Sequence, residues 1–167
     1  MRRDVLILLG LMAAIAVVAT LRRPPSEAAA PTLSVHGVRL GTDYEELKAR
    51  MGRPSGGRDD GQIWEIKRWG DFDEVRLAKQ KVPTQWRVVH LDGRQLELDG
   101  RAVLRAGDPW SKRTVLGVPI QTRADVECYS FPLAEPIWSK ERNLGSAQVT
   151  LFRQGDTVNQ VRIECAP

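Results

Sequence analysis

Leu40–Pro54 reads LGTDYEELKARMGRP, and Leu104–Pro119 reads LRAGDPWSKRTVLGVP. Each has a glycine, a polar helix start, a short amphipathic run and then Gly-x-Pro. In the first copy Thr42 is a natural N-cap with Glu45 three residues on, a capping box. Tyr44, Leu47 and Met51 fall on one helical face, Gly52 supplies the left-handed stop, and Pro54 prevents continuation. In the second copy Asp108 caps, Pro109 takes the first helical position and Gly117 stops the helix.

The correspondence extends outward. Leu33–Gly37 (LSVHG) matches Leu96–Gly100 (LELDG), 63 positions on, Gly41 matches Gly107, and an aromatic stands ten residues past each proline, at Trp64 and Tyr129. A drift of offset between 63 and 66 is what small loop insertions produce, so the register argues for a unit of about 65 residues present twice. Strand-like sequence follows each helix: Ile63–Trp69 and Trp86–Leu91 in the first copy, then Glu127–Phe131, Ala147–Phe152 and Val158–Glu164 in the second. Asp92-Gly93 and Asp99-Gly100 read as hairpin turns flanking Arg94–Leu98. The expected fold class is α+β: two tandem repeats, residues 32–95 and 96–167, each a short helix packed on an antiparallel β-meander.

Ahead of the repeats, residues 5–21 hold no charge and are flanked by Arg2-Arg3 and Arg22-Arg23. Seventeen residues just suffice to cross a bilayer core and slightly exceed the core of a signal peptide. Residues 1–21 are therefore read as a signal anchor or signal peptide, with membrane attachment through 5–21 and the C-terminal part exported to the cell envelope. A cleaved, secreted or periplasmic form is the alternative. Residues 22–31 (RRPPSEAAAP) form a Pro/Ala-rich tether.

The net charge of +4 is shared evenly. Residues 1–30 carry +2 and the remaining 137 residues carry +2, from 21 basic and 19 acidic side chains. A nearly neutral domain has no phosphate-binding footprint, which argues against nucleic acid. In an exported chain Cys128 and Cys165 are permitted a disulfide across about 37 residues, against two buried free thiols.

The repeated motif, glycine and cap, an aromatic, then Gly-x-Pro and an aromatic strand, resembles the tandem repeats of β-lactamase-inhibitor-protein-like domains. It is also similar to the related SmpA/OmlA-type envelope lipoproteins. The resemblance implies a helical layer on an antiparallel sheet, paired units forming a concave surface, and non-enzymatic action by binding other proteins. No lipidated cysteine follows the apolar run, so the lipoprotein role is not carried over.

Catalytic chemistry finds no foothold. His36 precedes a turn glycine, His90 alternates within a strand, and neither has a neighbouring ligand motif, so no metal site is expected. No serine lies in a nucleophile-elbow setting. Ser55-Gly56-Gly57 follows a helix rather than opening one, and Asp71, Asp73 and Glu74 lack the rest of a calcium loop. No cofactor and no enzyme activity are expected. Tryptophan is enriched where proteins dock. Trp69, Phe72 and Trp138, in charged or proline-containing surroundings, are the candidate interface residues. The chain thus reads as a protein-binding module whose partner is another envelope or secreted protein. A structural subunit of an envelope complex is the alternative, and an enzyme with an unrecognised site is a more distant one.

Overall fold

The computed structural model describes residues 30–80, 85–139 and 142–166. The membrane or signal segment and tether residues 22–29 lie outside them. No helix among the described residues is long and apolar enough to cross a membrane.

Chain order is β1 (Leu33–Val35), β2 (Val38–Arg39), α1 (Tyr44–Met51), β3 (Arg58–Asp59), β4 (Ile63–Trp69), β5 (Phe72–Lys79) and β6 (Trp86–Gly93). It continues with β7 (Gln95–Leu98), β8 (Arg101–Arg105), a 3-10 helix (Trp110–Leu116), β9 (Gln121–Arg123), β10 (Val126–Ser139), β11 (Arg142–Gln154) and β12 (Thr157–Ala166). Strands take 61% and helices 12% of the described residues, so the expected α+β class of helix-on-meander repeats is corrected to a mostly β fold.

The reason lies in the sheet edges. A four-stranded meander leaves an unpaired edge, and here each half covers that edge with the other half. One sheet runs β2-β1-β7-β8 and the second runs β3-β4-β5-β6-β12-β11-β10-β9, both wholly antiparallel. Both orders are symmetric about their centres, where Val35 pairs with Leu96 and Leu91 with Ile163. One apolar cluster joins the two halves, including Val35, Leu47, Val75, Leu91, Leu104 and Ile163.

Local chemistry explains the joints. His36 and Gly37 have φ of 48° and 72°, and Asp99 and Gly100 have 51° and 74°. Two successive positive values form the tight turn whose twist matches a hairpin. Asp92-Gly93, expected as a third hairpin turn, lies within β6 instead. There the chain crosses from the large sheet to the small one, and a Cβ on Gly93 would sit 2.6 Å from Val35 Cγ1. Close approach, not a turn, requires this glycine.

The two helices differ. Helix α1 is capped by Asp43 rather than Thr42, its Oδ1 accepting from Glu45 N at 2.8 Å. Asp108 is diverted: its Oδ2 accepts from Arg105 N and Lys112 Nζ, both at 2.8 Å. The following seven residues lack a side-chain cap and tighten into a 3-10 helix.

Strand β5 is not among the expected strands: WGDFDE, Trp69–Glu74, crowds three acidic residues over the end of β4, a turn and the start of β5. Only Gly70-Asp71 turns, with Gly70 at φ 60°, and Trp69 pairs with Phe72 across it.

Candidate functional site

Both described candidate interface aromatics are in the core. Trp69 and Phe72 are each 3% exposed, which corrects the expectation that they face solvent. Facing each other beside a two-residue turn, they point inward together: Trp69 lies 6.0 Å from the Tyr44 ring, and Phe72 meets His36 edge-on at 5.7 Å. Trp138 pairs with Asn143 through its backbone, and its side chain lies outside the described part.

The cysteines are free, which corrects the disulfide alternative. Cys128 stands opposite Thr150, itself opposite Arg162, whereas Cys165 lies three residues further along β12. Three residues is about 10 Å along a strand, and an odd offset reverses the face, so the thiols cannot meet. Burial, with the Glu164 charge adding to it, pushes the Cys165 thiol up to about 12.

The side chains that do converge lie at the seam between the halves, where β6 meets β12. Alternation along β4, β5, β6 and β12 places two charged rows on one face of the large sheet. Glu65, Arg76, His90 and Glu164 form one row, and Lys67, Glu74, Asp92 and Arg162 form the other. Glu74 and Asp92 stand directly opposite each other, an arrangement of like charges that destabilises a sheet unless cations answer it.

Three cations do. Arg162 grips Asp92 with a fork, Nε to Oδ1 at 2.8 Å and Nη2 to Oδ2 at 2.9 Å. Arg76 Nε lies 2.5 Å from Glu74 Oε1, and Lys67 contacts both Glu74 and Glu65. Beneath these long side chains Glu74, His90 and Asp92 are 7%, 2% and 3% exposed. Burial opposes ionisation of Asp92, yet the His90 ring and the Arg162 fork hold its carboxyl down at about 2. The His90 contact outweighs burial at Glu164 and lowers its carboxyl too. His90 Nδ1 lies 3.2 Å from Glu164 Oε2. Its Nε2 faces Asp92 Oδ1 at 3.6 Å and Glu74 Oε1 at 3.7 Å, and has no hydrogen-bond partner.

No protein-family profile, curated protein or solved structure matches this chain. Function must therefore be argued from its own surfaces.

Two further features are relevant. A groove of ≈ 630 Å³ runs between the first hairpin, the start of α1 and the Pro132–Ile137 stretch of β10. Its wall mixes Leu40, Leu133 and Ile137 with Arg39, Glu46 and Arg87. On the other half, Val115, Val118 and Ile120 are 51%, 89% and 64% exposed. They precede β9, which pairs with β10 and ends the large sheet.

Sequence reasoning weighed His90 and Glu74 singly and found no ligand motif around either, and it passed over the exposed aliphatics. His90 and Asp92 alternate in HLD, as Arg162 and Glu164 do in RIE. That period-two signal was readable, but only the strand register brings the pairs together. The aliphatics of TVLGVPI were readable from the repeat itself. Val118 and Ile120 replace Arg53 and Ser55 of the first copy.

Proposed function

We propose that this chain is a protein-binding module of the cell envelope, tethered through residues 5–21, that docks its partner along the β9 edge. The observation that carries the reading is the exposure of Val115, Val118 and Ile120 in the segment leading into β9, a strand whose outer edge no described strand covers. An open edge offers unpaired N–H and C=O groups to an incoming extended segment. Exposed aliphatics beside it add apolar burial to those hydrogen bonds. The counterpart loop holds Arg53 and Ser55 at the same repeat positions, so the apolar surface belongs to one half only. The likeness of the repeated motif to inhibitor-protein-like domains, whose members act by binding, points the same way.

A photo-cross-linking residue placed at Val118 or Ile120 of the full chain, in envelope membranes, tests this. Adducts heavier than the chain are expected at both positions, and none at Glu46, exposed on helix α1 of the other half. Equal labelling at all three, or none at Val118 and Ile120, overturns the reading.

A further inference from the structure

A buried imidazole nitrogen between two carboxylates needs a cation. His90 Nε2 is such a group, unpartnered, with Asp92 Oδ1 at 3.6 Å and Glu74 Oε1 at 3.7 Å. The three donor atoms lie within 4.8 Å of one another. The groups facing the ring from β4, β5, β6 and β12 are four carboxylates, Glu65, Glu74, Asp92 and Glu164, and three permanent cations, Lys67, Arg76 and Arg162. With a neutral imidazole one negative charge is left unmatched at the centre of the sheet.

We propose that Glu74, His90 and Asp92 bind a divalent transition-metal ion, Zn²⁺ by their donor set, between β5 and β6 beside the seam with β12. Ligand separations of 3.6 and 3.7 Å lie near the roughly 3.3 Å edge that tetrahedral zinc with bonds of about 2.0–2.1 Å requires. Imidazole with carboxylate suits zinc, while a calcium or magnesium site would draw on oxygen alone. Glu164 supplies the orienting partner that metal-bound histidines regularly have, holding Nδ1–H at 3.2 Å so that Nε2 presents its lone pair. The Arg76 and Arg162 contacts each leave a second lone pair on the carboxylate oxygen they touch. The ion ties β5 and β6 to one another beside the Asp92–Arg162 link to β12, so its role is to hold together the two strands next to the seam.

The rival occupant is a proton on Nε2, and the test separates the two. The full chain in detergent, stripped with a chelator, is titrated with Zn²⁺ by calorimetry, and Co²⁺ is followed by its visible absorption. One equivalent of Zn²⁺ is expected, with at least tenfold weaker binding in Glu74→Gln combined with Asp92→Asn and unchanged binding in His36→Ala. Co²⁺ on the wild-type chain, which needs no variant to fold, should give the intense bands of a tetrahedral ion. Absence of uptake, uptake indifferent to the double substitution, or ¹⁵N spectra showing both His90 nitrogens protonated in excess Zn²⁺ would overturn the site.

Discussion

Trp69 packs in the core near Tyr44 of helix α1, and Phe72 packs in the same core against His36. A Cβ on the intervening Gly70 would lie 3.1 Å from Met51 Cε, so turn and helix end are fitted to each other. Removing either aromatic ring leaves a cavity in the core, at a cost of about 3–5 kcal/mol in such sites. Trp69→Ala and Phe72→Ala are each expected to lower the urea midpoint steeply. An unchanged midpoint would return these rings to the surface. Their surroundings explain why they read as exposed. Lys67, Arg68, Asp71, Asp73 and Glu74 crowd the sequence around them, and strict alternation would set Lys67 beside Trp69 and Glu74 beside Phe72; the pattern breaks at Arg68, whose φ is 54°. His90, Glu74 and Asp92 were illegible for a different reason. Each is unremarkable in its own strand, and only the pairing of β5 with β6 brings the carboxylates together beside the ring.

The second-half 3-10 helix is held by charge where α1 is held by apolar packing. Arg113 Nε lies 2.7 Å from Glu127 Oε2, which also accepts the Tyr129 hydroxyl at 2.6 Å. Arg113 and Arg153 both lie over the Trp110 ring, at 5.1 and 5.6 Å. Burial first, then the hydrogen bond to Glu127 and its charge, raise the Tyr129 phenol far above the ordinary tyrosine value. The folded chain therefore keeps this proton where the unfolded chain releases it. The resulting stability is complete below about pH 10 and falls as pH rises through the alkaline range above it. Melting temperatures measured from pH 9 upward are expected to drop more steeply for the wild type than for Tyr129→Phe, and parallel curves would refute this. Strand boundaries in this half were legible in outline only. Glu127–Phe131 proved to be only the opening part of β10, Val126–Ser139, whose pairing with β11 shifts register between Pro132 and Ile137. A proline-bearing irregularity of that kind hides strand continuation from any alternation pattern.

Two halves meet like strand to like strand, β1 on β7 and β6 on β12. The repeated motif was legible because turn, cap and stop residues act locally. The merging of both copies into shared sheets was not, since it depends on edges that no local pattern marks. A molecule built this way has no internal boundary at which one half can unfold alone: losing either half strips β6 or β12 of its partner and opens the Asp92–Arg162 fork. Trp64, Trp69 and Trp86 report on the first half and Trp110 on the second. Their ¹⁹F resonances in a fluorotryptophan-labelled full chain, followed through a urea titration, test that unity directly. All four are expected to pass to their unfolded positions at one common midpoint. A Trp110 transition separated from those of Trp64, Trp69 and Trp86 would contradict it.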